Sequence, residues 1–479
     1  MSKHSAVYGV GFIISRLVNF ILLPVYSQIL PPDEYGVSAV VFTYLGLMTI
    51  VYTFGLDAAF LRFYILSEDQ TKQRQIFSSA LWSVLLVAGL FTVIGYFYSH
   101  AISKFFITEG EHTDLFQIGC LILFFDALAF LPFLYLRAKE KSTHFTLIKF
   151  INVIINVGLN FYYIVFLRIG VKGIFLANAW ASGVTFILLL PILFRQTSLI
   201  FIWDELKELL KFGLPYLPST LSVVILQTID RFILERMAGL DVTGIYSAGY
   251  KLGIFMSLFV AAFRFAWHPF FLSTSKQENA KAVFAKILTY FTLLAAVLFL
   301  IISFFIDDIV RFRVFGYSLI GEKYWGGTQV VPVILLAYLF YGIYVNFVVG
   351  IYLKKKTKYL PIITGLGALA NIIANVVLIP PFGMMGSAFA SLIGFLVMTV
   401  ALYLTAQRFY TIAYEFVRLL KIAGVVAAVF AAGYFVQGSW TNVIKILLIL
   451  SLPILLYLTG FFDRRELNAL KGLLFSKQI

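Results

Sequence analysis

Charged residues are scarce in this sequence, since only 13% of its 479 residues are Asp, Glu, Lys or Arg. Typical soluble domains contain about 25% charged residues, and 61% of this chain is hydrophobic. A water-soluble fold of this composition would expose large apolar patches and aggregate, whereas a protein surrounded by lipid needs an apolar outer surface. The composition therefore excludes a mainly soluble chain and predicts an integral membrane protein.

Cysteine and histidine are scarce as well. Cys120 is the one cysteine, which excludes an intrachain disulfide and a cysteine-based metal site, and the five histidines show no ligand spacing. The sequence contains no G-x4-G-K-[ST] phosphate loop, no Ser-His-Asp set and no H-E-x-x-H motif. We therefore expect no cofactor, no metal and no enzymatic activity. Energy for any transport would come from a gradient of H+ or Na+, from the membrane potential, or from the substrate's own gradient.

Hydropathy divides the chain into fourteen candidate transmembrane helices, named here spans 1 to 14. They start near Tyr8, Val37, Phe77, Phe116, Phe145, Val171, Leu214, Thr243, Ala282, Gln329, Tyr359, Met385, Leu419 and Asn442. No small-residue cleavage site follows the N-terminus, so span 1 is expected to be retained. The predicted fold class is an all-α polytopic membrane protein.

The distribution of basic residues orients these spans. Of the 37 Lys and Arg, 24 lie on the side of the N-terminus, 6 lie on the opposite side, and 7 lie within spans. Cytoplasmic loops carry the excess of basic residues in membrane proteins, so both termini are predicted to be cytoplasmic. The net charge of +14 is mostly this topology signal, and we expect no nucleic-acid partner.

Two amphipathic segments divide the chain. Segment 202–213, IWDELKELLKFG, is too short and too charged to span a membrane, and it is predicted to lie in the cytoplasmic interface between spans 6 and 7. A similar segment, 408–421, separates spans 12 and 13. We therefore predict an N-terminal lobe over 1–200, an interfacial linker helix over 201–213, a C-terminal lobe over 214–407, and a last region over 408–479 with spans 13 and 14 and a cytoplasmic tail.

Short motifs that occur once in each lobe suggest that the lobes are related by a parallel repeat. Asn-x3-Asn followed by Gly-x2-Gly begins at Asn156 and Gly170 in the N-terminal lobe, and at Asn371 and Gly383 in the C-terminal lobe. Asp-x2-Gly begins at Asp33 after span 1 and at Asp241 after span 7. Parallel repeats are a transporter architecture with the site between the halves. The alternative is chance matching of small residues in apolar helices.

Polar residues inside the predicted spans mark the candidate site, because a charge at the bilayer centre costs about 2.5–3.5 kcal/mol on insertion scales. The candidate substrate-binding residues lie on polar faces of spans 1, 5, 8 and 11 and are Arg16, Asn19, Lys149, Asn156, Asn160, Arg264, His268, Asn371 and Asn375. Three acids are candidates for coupling to a cation, namely Asp57, Asp126 and Asp230. The alternative for the Asn pairs is a structural role between helices. On an ideal helix, Lys251 falls off the polar face of span 8.

Basic residues within the spans outnumber these acids, which favours an anionic ligand. Arginine keeps its charge when buried, and its planar fork matches phosphate oxygens. The acids at outer helix ends, Asp33-Glu34 and Asp307-Asp308, are interpreted as solvated turns. A membrane glycosyltransferase would need such acids, so they leave that alternative open.

The chain resembles the polysaccharide transporter (O-antigen flippase) family of the multidrug/oligosaccharidyl-lipid/polysaccharide exporter superfamily. The resemblance covers essentially the whole chain, and its strongest part is the run Gly9-Val10-Gly11-Phe12, Pro24, Leu30-Pro31-Pro32-Asp33-Glu34-Tyr35-Gly36, Phe54-Gly55-Leu56-Asp57 and Arg62. The Asn-x3-Asn and Gly-x2-Gly elements are also similar to that family. The Ser15-Arg16 pair resembles a cavity arginine of lipid II flippases, and Arg264 lies in a span where those proteins keep another. Asp57 departs from their pattern.

This resemblance implies two six-helix lobes with two extra helices, in a bacterial cytoplasmic (inner) membrane. It implies an undecaprenyl-pyrophosphate-linked oligosaccharide as substrate, moved from the inner to the outer leaflet by alternating access for O-antigen, capsule or exopolysaccharide export. Partners would be the lipid bilayer and polysaccharide-assembly proteins such as a polymerase. The alternatives are a cation-coupled multidrug exporter of the same superfamily and a membrane glycosyltransferase or polymerase.

Overall fold

The computed structural model describes residues 20–314, 316–436, 438, 440–463 and 466. Within these ranges, thirteen helices are long and apolar enough to cross a membrane, and they correspond to the predicted spans 2 to 14. Span 1 falls mainly outside the described residues, and its end is the helix Leu23–Ile29. The predicted all-α polytopic fold is confirmed, and the protein is a multi-pass membrane protein.

The helices follow one another with short connections. The long helices are Pro32–Thr53, Leu56–Leu66, Gln70–Phe97, Thr113–Ala138, Ser142–Asn160, Val171–Gln196, Leu217–Leu252, Ile254–Thr274, Ala280–Arg311, Val331–Leu353, Leu360–Phe382, Met384–Phe409, Phe416–Tyr434 and Thr441–Leu458. The shorter helical elements are Ser99–Phe106, Phe161–Phe166, Trp203–Gly213, Leu214–Tyr216, Glu322–Val330 and Thr357–Tyr359. A small antiparallel hairpin pairs Arg313–Val314 with Tyr317–Ser318.

Spans 7 and 8 form a hairpin that reverses at Gly239. Gly239 has a φ of 84° and a ψ of 173°, a conformation that favours glycine. The Tyr246 hydroxyl donates a hydrogen bond to Asp230, sixteen residues earlier. A straight helix would separate these residues by about 24 Å, so the chain must turn back between them. Span 7 therefore covers 217–238 and span 8 covers 240–274.

The predicted linker segment forms the helix Trp203–Gly213, which packs on the inner end of the N-terminal lobe. Its buried side chains include Leu206 and Leu209, and its charged residues lie on the other face. A Cβ atom added to Gly213 would lie 2.6 Å from the Gly55 carbonyl oxygen. Span 2 is interrupted at this point, since Gly55 has a φ of 75°. The linker helix thus rests against the break in span 2.

The repeated motifs have the same local geometry in both lobes. The Asn160 side-chain amide donates to the Asn156 carbonyl oxygen at 2.8 Å, and that of Asn375 donates to the Asn371 carbonyl oxygen at 2.9 Å. The glycine that follows each motif, Gly170 or Gly383, has a positive φ and starts the next span. This agreement supports a repeat over chance matching, while the exact lobe boundaries stay a prediction.

The lobes approach each other most closely at Gly36 in span 2 and Gly244 in span 8. A Cβ atom on Gly244 would lie 1.8 Å from the Pro32 carbonyl oxygen, and one on Gly36 would lie 2.2 Å from the Leu240 carbonyl oxygen. The backbones therefore touch where no side chain fits. In the predicted orientation this contact lies at the outer side of the membrane.

The beginning of the tail after span 14 is held by a charged cluster. Arg418, at the start of span 13, pairs with Glu466 at 2.9 Å and with Glu415 at 3.1 Å. Tyr290 in span 9 donates to Glu466 at 2.5 Å, and Thr289 donates to Glu415 at 2.7 Å. These bonds attach spans 13 and 14 to span 9 of the C-terminal lobe.

We expect the Gly244→Ala variant to lose stability, because its methyl group would overlap the Pro32 carbonyl oxygen. Overpacking of a tight contact costs about 1–3 kcal/mol. Thermal unfolding in detergent measures the loss, and Gly89→Ala is the matched control because a Cβ at Gly89 meets no atom within 4 Å. Equal melting temperatures of the Gly244→Ala variant and the wild type would contradict the close contact.

Candidate functional site

A cavity of about 250 Å³ lies between span 2 of the N-terminal lobe and the hairpin of spans 7 and 8. Polar and aromatic side chains dominate its lining, which consists of Tyr35, Ser38, Ala39, Phe42, Thr43, Gln227, Thr228, Arg231, Ser247 and Lys251. The Thr43 hydroxyl donates to the Thr228 carbonyl oxygen at 3.1 Å and joins the two lobes at one wall. The cavity lies next to the Gly36–Gly244 contact, on the half of the protein that is outer in the predicted orientation.

One of its two cations, Arg231, is neutralised and held in place. Its guanidinium forms an ion pair with Asp230 at 2.7 Å, and the Asp230 side chain is 0% exposed. Asp230 also accepts a hydrogen bond from the Tyr246 hydroxyl. The guanidinium lies 4.0 Å from the ring centroid of Tyr250. Because such a pair is both hydrogen-bonded and stacked, Arg231 presents a fixed donor surface to the cavity.

The second cation, Lys251, has no acidic partner in the part of the chain that the structure describes. Its ammonium group lies 5.0 Å from the ring centroid of Tyr35. Since Asp230 balances Arg231, Lys251 gives the lining formed by the described residues one net positive charge. A cavity with low-dielectric walls and one sign of charge attracts ligands of the opposite sign. The arrangement therefore suits an anion.

Sequence reasoning missed Lys251 because it treated span 8 as one straight helix. The helix is interrupted at Gly253, between Leu217–Leu252 and Ile254–Thr274. A single helical wheel drawn across Gly253 therefore assigns the residues before Gly253 to the wrong face. Ser247 and Lys251, one turn apart above the interruption, both line the cavity. The sequence does contain a signal for this position, because Ser247 and Lys251 form a polar pair at i and i+4 shortly before Gly253.

In the N-terminal lobe, Lys149 and Asp126 lie near each other inside the helix bundle. The Lys149 ammonium is 4.2 Å from the ring centroid of Phe133. Asp126 on span 4 lies close to Lys149 and to the Ser182 hydroxyl. The Asn152 amide donates to the Thr185 hydroxyl of span 6 at 2.8 Å. The polar face of span 5 thus points towards spans 4 and 6.

Asn156 and Asn160 continue this polar face towards the end of span 1. Asn160 is buried and accepts a hydrogen bond from the Tyr26 hydroxyl at 2.8 Å. Its amide group donates to the side-chain oxygen of Asn156 at 3.0 Å. This pair links span 5 to span 1. Arg16 and Asn19, the candidates within span 1 itself, lie outside the described residues.

In the C-terminal lobe, Arg264 and His268 lie on the inner half of span 8. Arg264 is exposed and donates to the Tyr341 hydroxyl of span 10 at 3.2 Å. The His268 ring contacts the Tyr352 ring at 5.2 Å between centroids. Both residues therefore face span 10. Thirteen residues of helix place Arg264 about 20 Å from Lys251 along the span.

Asn371 and Asn375 are fully buried, each 0% exposed. The Ser387 hydroxyl of span 12 donates to the Asn375 side-chain oxygen at 2.9 Å. The structure thus gives this pair a role in holding spans 11 and 12 together, away from the cavity.

The three acids proposed for ion coupling have different surroundings. Asp230 is occupied by Arg231 and Tyr246. Asp57 is exposed in the first turn of the helix Leu56–Leu66, just after the break in span 2. Asp126 lies beside Lys149. Coupling of a cation at any of these acids stays a prediction.

Further contacts join the lobes on the side that is outer in the predicted orientation. Glu235, near the outer end of span 7, accepts hydrogen bonds from the Thr108 amide at 2.6 Å and the Thr108 hydroxyl at 2.7 Å. Arg236 donates to the Phe105 carbonyl oxygen. The Ser27 hydroxyl accepts a bond from the Gly321 amide at 3.0 Å, which joins span 1 to the segment before span 10.

With this architecture in place, the sequence comparison is decisive. The profile of a family described as "Polysaccharide biosynthesis protein" matches residues 1–275, more than half of the chain. The chain belongs to the polysaccharide biosynthesis protein family. This membership confirms the resemblance deduced from the N-terminal motifs.

Two relatives match this family member over most of its length. It is 26% identical over 368 residues to Lsg locus putative protein 1 of Haemophilus influenzae, covering 71% of this chain and 84% of the relative. It is 21% identical over 437 residues to the uncharacterized membrane protein MJ1068 of Methanocaldococcus jannaschii, covering 83% of each.

Solved structures show the same fold. The lipid II flippase MurJ in an inward closed conformation is similar with a TM-score of 0.76 and 16% identity, over 95% of this chain and 100% of that one. An inward-facing multidrug resistance MATE family transporter of the MOP superfamily is similar with a TM-score of 0.65 and 16% identity, over 84% of this chain and 97% of that one. This family member therefore has the fold shared by these two transporters.

We expect the Asp230→Asn variant to be strongly destabilised. It removes one partner of a buried ion pair and leaves the Arg231 charge uncompensated, which costs about 3–5 kcal/mol. Thermal unfolding in detergent tests this, with Asp57→Asn as the matched control because Asp57 is exposed. If both variants melted together with the wild type, Asp230 would not hold Arg231 in place.

Proposed function

We propose that the protein is a flippase that moves an undecaprenyl-pyrophosphate-linked oligosaccharide from the inner to the outer leaflet by alternating access. The product would serve export of a cell-surface polysaccharide such as O-antigen, capsule or exopolysaccharide. The proposal places the protein in a bacterial cytoplasmic (inner) membrane with both termini in the cytoplasm. A polymerase and other polysaccharide-assembly proteins would be its partners.

The observation that carries the proposal is the positive charge between the lobes. Lys251 adds one charge that no described carboxylate balances, and Arg231 adds a fixed guanidinium. The pyrophosphate that links a lipid to a sugar is a compact dianion, which such groups bind through charge-assisted hydrogen bonds. The lining also offers Ser38, Thr43 and Gln227, whose polar groups suit hydroxyl-rich ligands.

The position of the cations along the membrane supports a path for the phosphate. Arg264 is exposed on the inner half of span 8, and Lys251 lines the cavity on its outer half. The lobes touch at the outer side through Thr108, Glu235 and the two glycines. A phosphate entering from the inner leaflet would meet Arg264 first and Lys251 second. Arg16 and Lys149 are proposed as further cations on the N-terminal side of this path.

A cation-coupled multidrug exporter is the second candidate, because the fold is also that of a MATE family transporter. Such an exporter needs accessible acids facing a cationic substrate. In the cavity, the nearest acid is Asp230, which is 0% exposed and paired with Arg231. The chemistry of this lining therefore favours the flippase.

A membrane glycosyltransferase is the third candidate and would use acids at the outer side. Glu34 accepts a hydrogen bond from the Val171 amide at 2.9 Å. Gly170, just before it, starts span 6 with a φ of 67°. The carboxylate thus fixes the start of a helix, and this contact favours a structural role for Glu34.

We predict that deletion of the gene traps the lipid-linked oligosaccharide in the inner leaflet. Labelling of intact spheroplasts with a membrane-impermeant sugar-reactive probe measures the outer pool, and labelling after lysis measures the total. The wild-type gene on a plasmid should restore outer labelling. Unpolymerised oligosaccharide accumulating in the outer leaflet would instead support a polymerase, and normal polysaccharide with lost resistance to cationic dyes would support the drug exporter.

The Lys251→Ala variant in the same assay tests the site. We expect outer labelling to fall by about tenfold or more, since a hydrogen bond to a charged group contributes about 1.5–3 kcal/mol. Lys251→Arg keeps the charge and should retain most of the activity. Lys323→Ala, at an exposed outer position, is the matched control. Wild-type labelling in Lys251→Ala would exclude Lys251 from the phosphate path.

A further inference from the structure

A second cavity lies on the N-terminal lobe, between spans 3, 4 and 6 and the start of the connection to the linker helix. It has a volume of about 390 Å³. Its walls are almost entirely apolar and include Leu81, Leu85, Leu128, Phe186 and Leu190. A groove of this size and polarity fits a hydrocarbon chain. We name it the span 3–6 groove.

The groove opens towards the surrounding membrane at the depth of the inner leaflet. Span 6 ends at Gln196 on the cytoplasmic side in the predicted orientation, and the groove includes the residues that follow. At its mouth, Phe194 is 77% exposed and Leu199 is 92% exposed. The inter-lobe cavity is lined by other spans, namely 2, 7 and 8. The groove is therefore separate from the inter-lobe cavity.

One polar group in the groove has no partner. The Thr197 hydroxyl oxygen is buried and makes no hydrogen bond with any described residue. The polar groups beside it are satisfied, because the Ser198 and Ser78 hydroxyls are 3.1 Å apart and Trp82 donates to the Ser198 carbonyl oxygen at 3.0 Å. A buried hydroxyl without a partner is unfavourable. Its presence at the head of an apolar groove points to a ligand with a polar end.

Two arginines are close in the chain to residues at the polar end of the groove. Arg195 lies two residues before Thr197, and the Arg74 guanidinium donates to the Arg195 carbonyl oxygen at 2.7 Å. Both arginine side chains are exposed, and neither forms an ion pair with a described carboxylate. Arg74 is one helical turn from Ser78, which contacts Ser198 in the groove. The Arg74 guanidinium thus lies at the Arg195 carbonyl, two residues from Thr197 in the chain, and no described carboxylate pairs with either arginine.

We infer that the span 3–6 groove binds an anionic phospholipid of the inner leaflet. One acyl chain lies along the leucines, the glycerol ester region meets the Thr197 hydroxyl, and the phosphate meets Arg74 and Arg195. Basic pockets between transmembrane helices on the cytoplasmic side are known to bind anionic head groups. The occupant is a membrane phospholipid and not the transported lipid, because the groove shares no lining residue and no span with the cavity between the lobes.

The bound lipid would stabilise the connection between the lobes. The chain after Thr197 runs to the linker helix, and the Ile202 amide donates to the Ser79 hydroxyl of span 3 at 3.0 Å. Lipid that fills the groove holds this segment against span 3. Its loss would free the start of the linker helix Trp203–Gly213.

The test uses the full-length protein, stripped of lipid in detergent, and native mass spectrometry with added phosphatidylglycerol or phosphatidylethanolamine. We expect phosphatidylglycerol to be retained about tenfold better and to raise the melting temperature, because basic residues at the surface favour anionic head groups. The Arg74→Gln/Arg195→Gln variant should lose this preference. Arg74→Lys/Arg195→Lys should keep it, and Thr197→Val should weaken retention of both lipids.

Lys207→Gln/Lys211→Gln is the matched control, since it removes the same charge from the exposed face of the linker helix. It should bind phosphatidylglycerol like the wild type. Equal retention of the two lipids by the wild type would overturn the inference. It would also be overturned if the control variant lost the preference for phosphatidylglycerol as fully as the Arg74→Gln/Arg195→Gln variant does. Displacement of phosphatidylglycerol by added undecaprenyl phosphate at lower concentration would assign the groove to the transported lipid and would also overturn it.

Discussion

The contact between Gly36 and Gly244 determines how the two lobes meet. A methyl group at either position would overlap a backbone carbonyl oxygen of the opposite lobe, at 2.2 Å or 1.8 Å. Small residues allow helices in a membrane to approach closely, where no hydrophobic effect drives them together. Spans 2 and 8 touch here beside the cavity that Arg231 and Lys251 line, whereas Arg264, further along span 8, is exposed.

The cost of charge in a low-dielectric setting explains the arrangement of the cavity. Arg231 cannot lose its proton and so is paired with Asp230, which Tyr246 also holds. Lys251 lacks such a partner among the described residues, and its charge is available to a ligand. One fixed pair and one available cation are the arrangement on which the proposed anion site rests. In that proposal, release requires the contact between Thr108 and Glu235 to break.

Much of the fold could be predicted from composition and loop charge. Thirteen of the fourteen predicted spans correspond to membrane-length helices, and the remaining span lies mainly outside the described residues. The reversal at Gly239 falls between the predicted spans 7 and 8, whereas the interruptions at Gly55 and Gly253 could not be predicted, because these glycines look like ordinary small residues in apolar runs. The interruption at Gly253 divides span 8, so one ideal helix over the whole span places Lys251 away from the polar face. The Asn motifs were found by their spacing, but spacing alone does not distinguish the accessible face of Asn152 and Asn156 from the buried pair Asn371 and Asn375.

The most direct test of the account is a cross-link across the outer contact. Thr108→Cys and Glu235→Cys are combined in a Cys120→Ser background, and a short thiol cross-linker is applied to cells before outer labelling of the lipid-linked oligosaccharide is measured. Ser78→Cys/Ser198→Cys, which joins residues of one lobe, is the control. We predict that the inter-lobe cross-link stops the appearance of oligosaccharide in the outer leaflet, that a reducible cross-linker restores it on reduction, and that the control stays active. Undiminished outer labelling with the lobes joined would contradict alternating access through this contact.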